Sequence, residues 1–283
     1  MKTRTTARLR LGRIRYVNVL PFYHGLAPLL EAGGVETEWT QGSPAELNQR
    51  MRRGEIDLAP ISSLEYLHAQ AEYLLLPGVC IGSRDFSGSV LLFSHERLEG
   101  LNRATISLSE ESVSAAALLK VLLQCKFRFE NEFRVDPSRP EEMLCLAKAC
   151  LVIGDDALFF RPREFVHKID LSEVWWEWTR LPFCFSVWAV RRKYYEKHPE
   201  EVRAFSRRLQ ANLEKNLQDL ERLLREGMGL TMTDERFPTV YGYLFNLSYG
   251  LDEAMCEGLE RFYRHAGELG LAPAARPLEL VPA

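Results

Sequence analysis

A chain of 283 residues is long enough to bury one large core or two modest ones. With 46% hydrophobic residues, 27% charged residues and a formal net charge of −3, it reads as an ordinary globular protein without an electrostatic footprint for nucleic acid. No apolar run approaches the roughly 18 residues of a membrane span, and the basic start MKTRTTARLRLGRIRYV lacks the apolar segment of a secretory signal, so a cytoplasmic chain that binds neither nucleic acid nor membrane is expected.

In chain order, residues 13–17 read as a strand, 21–32 as a helix and 35–39 as a strand. A helix over 44–53 is announced by Ser43-Pro44-Ala45-Glu46, which sets a capping serine, a first-turn proline and a glutamate three residues on, and it stops at Gly54. IDLAP (56–60) reads as a strand and SSLEYLHAQ (62–70) as a short helix capped by Ser62 or Ser63. YLLLPGVCIGS and GSVLLFSH read as strands joined through 82–89. The middle repeats the theme: strand 104–109, helix 110–125, strand NEFRV, a helix near 139–148, strand 150–154, a helix opening with DDALFF, and strand 183–190. The aromatics of EVWWEWT (173–179) read as core. From 199 a long amphipathic helix to 227 is expected, then TDERFPTVYGYLF and a helix over 252–267, with no strand signal. This alternation predicts an α/β fold with largely parallel sheets. Two lobes are expected: 1–87 with 190–283, and 88–189, the chain crossing twice to make a hinge and an interlobe cleft.

Six cysteines (Cys80, Cys125, Cys145, Cys150, Cys184, Cys256) form no CxxC pair and are expected to be reduced and buried. The six histidines show no ligand spacing, so no metal is expected. Basic clusters such as Arg191-Arg192-Lys193 read as solvated helix faces. No GxSxG, GxGxxG or P-loop motif is present.

In open α/β sheets ligands bind beyond the carboxyl ends of strands, where helix starts gather. Four such junctions carry small polar groups: Asn18; Ser62 and Ser63; Ser107, Ser109 and Ser112; and Gly154, Asp155 and Asp156. Free N–H groups and the dipole at a helix start favour an anion. Ser, Asn and Asp are also ordinary helix caps, yet Asn18 lies too far ahead of Pro21 to cap that helix. Glu110 and Glu111, beside these serines, are expected to point to solvent. The residues alone thus indicate a two-lobed protein for a small anion.

The blocks RIRYVNVLPFYHGL, GSPAELNQRMRRGEIDLAPISSLEYL, SLSEESVSAAALLKVLL, LVIGDDAL and LSEVWWEWTRLPFCFSVWAVRR, in that order, resemble the chorismate dehydratases of menaquinone biosynthesis, which act in the futalosine pathway. The resemblance implies the type II periplasmic-binding-protein fold and dehydration of chorismate to 3-[(1-carboxyvinyl)oxy]benzoate without metal or organic cofactor. It implies Asn18 as the residue fixing the substrate's pose, with Asp155 or Asp156 as the available base unless a substrate carboxylate serves. Ser62, Ser63, Ser109, Ser112 and Gly154 would hold the carboxylates, and Ser87 and Ser89, at the crossing, would close over the ligand. The dihydroxynaphthoate synthase of the same pathway and a non-catalytic solute-binding protein are the alternatives; the first lacks support in a mid-chain junction histidine, the second in a leader.

Overall fold

The computed structural model describes residues 8–164 and 166–282; residues 1–7, part of the basic start read above, lie outside it. Two mixed sheets organise the chain. The first has six strands in the order β11-β4-β10-β3-β1-β2: β1 Leu9–Ile14, β2 Thr37–Gly42, β3 Leu58–Ser62, β4 Tyr73–Ser83, β10 Phe183–Arg191 and β11 Leu247–Ser248. The second has five in the order β7-β6-β8-β5-β9: β5 Val90–Ser94, β6 Thr105–Ser109, β7 Glu132–Asp136, β8 Ala149–Ile153 and β9 His167–Asp170. The chain leaves the first sheet between Ser83 and Val90 and returns between Asp170 and Phe183. In each sheet the strand following a crossing, β5 or β10, runs antiparallel to both neighbours. The sheets are therefore mixed, not largely parallel.

Local sequence accounts for most elements. Ser43 and Glu46 form the expected reciprocal capping box, the helix Pro44–Arg53 follows, and Gly54 ends it at φ 74. Ser62 caps Ser63–His68 by accepting from the Glu65 amide. The expected helix 21–32 is two pieces, Leu20–Tyr23 and Leu26–Ala32, because Gly25 breaks it at φ 78. The long helix also divides, into Pro199–Leu217 and Leu220–Met228, where Asp219 caps the second piece through the Arg222 amide. The helix expected from 110 starts at Val113. β9 and β11 were not anticipated, being only 4 and 2 residues long.

β1 lies four residues ahead of the expected 13–17. Leu9, Leu11, Gly12 and Ile14 are its buried positions, while the arginines between them reach out of the sheet. Arg10 binds the buried Asp57 at 2.6 and 2.8 Å, and Arg13 lies over the Tyr23 ring at 5.3 Å. Arg191 also reaches Asp57, at 3.3 Å, and Arg192 donates to the Ala71 carbonyl at 2.9 Å. That basic cluster is thus a tie between elements, contrary to its reading as a solvated face. The core continues through both lobes, and Trp175 of the helix Leu171–Thr179 is fully buried against Phe183 and Phe262. All six cysteines are free; Cys145 is exposed, against expectation, and Cys125 and Cys256 are half-buried. Among the described residues no helix is long and apolar enough to cross a membrane.

The second crossing is secured by Asp170, at the end of β9. Its buried carboxylate accepts the Ser87 amide (3.1 Å), the Gly88 amide (2.7 Å), the Ser172 amide (2.9 Å) and the Ser87 hydroxyl (2.9 and 3.0 Å). Burial raises its pKa and these donors pull it back down. One side chain thereby pins both chain crossings to each other.

Candidate functional site

β1 ends at Ile14, and the chain turns through a 3₁₀ segment, Val17–Val19, before Leu20–Tyr23. Asn18 sits in that turn. Its Oδ1 is buried and has no hydrogen-bond partner, an expensive state for an amide unless something else uses it. The turn is held by Asp155, which accepts the Val17 N–H at 3.1 Å across the lobes. Burial, more than its neighbour Asp156, raises the Asp155 pKa.

Asn18 lines an interlobe cavity of about 80 Å³ with Tyr16, Ser62, Ser89, Glu111, Ser112, Ser114, Gly154 and Ser186, against apolar walls that include Ile14, Ile81 and Phe185. Of the residues expected from the sequence, Asn18, Ser62, Ser89, Ser112 and Gly154 thus meet in one place. The others do not line it. Ser63 is buried with its hydroxyl 3.1 Å from that of Ser114, and Ser87 spends its hydroxyl on Asp170. Ser109 contributes its backbone carbonyl to the Ser112 hydroxyl at 2.7 Å, while its own Oγ is buried without a partner. Asp155 lies behind the Asn18 turn and Asp156 is exposed.

Gly154 belongs to the wall for a reason other than a free N–H. Its amide already donates to the Ser89 carbonyl at 2.8 Å. Its φ of +63 and the Tyr16 ring, 3.1 Å from where a Cβ would lie, require glycine. Glu111 also departs from expectation. Glu110 is exposed, but Glu111 turns inward and binds the Tyr16 hydroxyl and, at 3.1 Å, the Arg15 guanidinium.

Several wall residues escaped sequence reading. Ser114, the second residue of Val113–Val121, has its hydroxyl 2.7 Å from that of Ser62 and accepts the Leu64 amide at 3.2 Å, so it ties the two helix starts together. Its position among Ser, Ala and Val gives no local signal. Tyr243, from the helix Phe237–Asn246, is buried outside the cavity lining. Burial raises its pKa, and the Ser89 and Asn18 side chains oppose that rise.

Chemically the pocket offers an amide, hydroxyls and the N–H groups of Ser114 and Ala115 in the first turn of Val113–Val121, which have no acceptor within their own helix; the Val113 amide already donates to the Glu111 carbonyl at 3.1 Å. It can orient a polar ring compound and hold its anionic groups. Among the described residues lining it, no lysine or arginine is present and Glu111 is the one carboxylate.

A family model described as menaquinone biosynthesis matches residues 9–268. The chain is 32% identical over 295 residues to the chorismate dehydratase of Thermus thermophilus, covering 94% of this chain and 98% of that one. It is 28% identical to the chorismate dehydratase of Campylobacter jejuni, over 64% of this chain and 67% of that one. Among solved structures it resembles a protein of Archaeoglobus fulgidus, with TM-score 0.70 and 19% identity over 93% of this chain and 98% of that one. It also resembles the periplasmic aliphatic sulphonate binding protein of Escherichia coli, with TM-score 0.68 and 14% identity over 96% and 95%. The two sheets joined by two crossings are thus the expected two-lobed periplasmic-binding-protein-like fold. The chain belongs to the menaquinone-biosynthesis family, in which these chorismate dehydratases are its relatives.

Proposed function

We propose that this protein is a chorismate dehydratase, a carbon–oxygen hydro-lyase converting chorismate to 3-[(1-carboxyvinyl)oxy]benzoate in the futalosine route to menaquinone. The observation that carries the reading is the Asn18 amide oxygen, buried without a partner in the interlobe wall of a chain that matches the Thermus enzyme over nearly its whole length. The two sheets are taken as the lobes that part and close around the substrate. A cytosolic location fits six free cysteines.

Loss of water makes the substrate's ring aromatic, so the driving force lies in the substrate. The protein has to fix one conformer in which a ring proton is removed and then passed to the departing hydroxide, which leaves as water. Asn18 is a poor base but a good clamp: Nδ2 donates to a substrate oxygen and Oδ1 accepts from the hydroxyl. Ser62, Ser89 and the Ser114 and Ala115 amides hold carboxylates, while Ser112 keeps its hydroxyl on the Ser109 carbonyl. The proton goes to a substrate carboxylate folded against the ring, because Asp155 is engaged with the Val17 amide outside the cavity wall. Orientation of this kind is worth up to roughly 7–11 kcal/mol in favourable cases. Asp155 is then a positioning residue.

Incubating the protein with chorismate and separating products by chromatography tests the reading. The aromatic enol ether is expected in equal amount to the chorismate consumed; chorismate left intact ends the proposal. Binding of chorismate without conversion would favour a non-catalytic solute-binding role.

A further inference from the structure

The inward turn of Glu111 sets a carboxylate against the site of an anion, where it opposes any anionic ligand. Its partners come from the other lobe. The Tyr16 phenol and the Arg15 guanidinium both donate to it, and the Tyr16 ring rests on Gly154 of the second sheet's helix start. The side chains of Arg15 and Glu111 remain 52% and 33% exposed, so the ion pair is solvent-screened and contributes little to stability. Burial and the nearby carboxylate both raise the Tyr16 pKa, which keeps the phenol protonated as a donor. The cavity of about 80 Å³ is far below the roughly 300–1,000 Å³ of ordinary ligand pockets. A ring compound therefore enters only when the lobes part, and parting breaks the contacts of Glu111 with Arg15 and Tyr16.

We propose that Arg15 and Tyr16 form a carboxylate-binding end of the site, and that Glu111 holds their donors in the empty protein until a ligand carboxylate replaces it. The exchange trades one carboxylate for another, so no donor is left unpaired, and Glu111 turns to solvent beside Glu110. It supplies the cation that the cavity wall lacks. This inference rests on the proposed function for its ligand class, a small dicarboxylate.

The test is calorimetric binding of 3-[(1-carboxyvinyl)oxy]benzoate, with steady-state kinetics on chorismate, for the wild type and for Glu111→Gln, Arg15→Gln and Tyr16→Phe. Each variant is first checked for an unchanged circular-dichroism melt. Glu111→Gln removes the competitor and is expected to tighten Kd and lower KM about three- to tenfold, with kcat within a factor of about three. Arg15→Gln and Tyr16→Phe are expected to weaken Kd about tenfold or more, since each removes a charge-assisted donor. Weaker binding in Glu111→Gln would make Glu111 a strut of the bound state and overturn the exchange. Loss of kcat with Kd intact would make it an acid or base and overturn it equally. A wild type that converts chorismate while Glu111→Gln leaves Kd unchanged sinks the exchange and leaves the activity standing. A wild type that binds the probe but leaves chorismate intact sinks the activity, and the Kd series still decides the exchange. If the wild type binds neither compound, both fall.

Discussion

Asn18 and Asp170 are both polar side chains at the end of a β-strand region, and both lie where the lobes meet. Asp170 is saturated: three backbone amides and one hydroxyl converge on its carboxylate. Asn18 has a buried oxygen with nothing to bind. The difference separates a polar group that builds the fold from one that the fold holds ready. A saturated buried group lowers the energy of the empty protein, whereas an orphaned one raises it and recovers that cost only when a ligand arrives.

Breaking the ready group should cost activity and leave the fold alone. Asn18→Ala is expected to lower kcat by about 10²- to 10³-fold, the loss typical of one preorganised polar contact to the reacting substrate, with a melting temperature unchanged or raised. A melt lowered in proportion to the activity would erase the distinction. Breaking the saturated group should do the reverse. Asp170→Ala strands several buried donors and is expected to cost about 3 kcal/mol in urea-induced unfolding, while kcat per folded molecule falls far less than in Asn18→Ala. Ser114 lies between the two cases, since its hydroxyl serves both helix starts. Ser114→Ala is expected to raise KM about tenfold with kcat within a factor of about two, measured by steady-state kinetics on chorismate.

The smallest effect concerns Asp155. Its native pKa is raised, so its contribution to stability is fully present below the unfolded carboxylate value of about 3.9 and is lost as the pH rises through the native value. Asp155→Asn keeps an acceptor for the Val17 amide and removes that titration. The variant is expected to gain stability over the wild type between pH 4 and pH 7, by a few degrees in thermal melts, while turnover changes little. A gap that does not widen with pH would place the cost of Asp155 elsewhere.

Much of this arrangement is legible in the sequence where the physics is local. Ser43, Pro44 and Glu46 state their helix outright, and the polar junctions pick out four residues that do line the cavity, with Ser89 at the crossing as a fifth. The failures share one cause. Tyr16, Glu111, Ser114 and Tyr243 matter only through partners from the other lobe or from the helical C-terminal part, with 95 residues separating Tyr16 from Glu111, and no short-range pattern marks such a meeting. Ser87 was misread for the same reason, since its partner Asp170 is 83 residues away. β1 lies ahead of the expected strand because Arg10 and Arg13 interrupt its apolar positions, and the partner of Arg10, Asp57, is 47 residues away.

The tightness of the cavity carries a practical lesson for anyone seeking inhibitors. Rigid docking or soaking into this shape would reject even the natural substrate, because a cavity of about 80 Å³ has no room for a ring compound. Co-crystallisation from solution, where the lobes are free to breathe before lattice forces set in, is the route by which a complex should form.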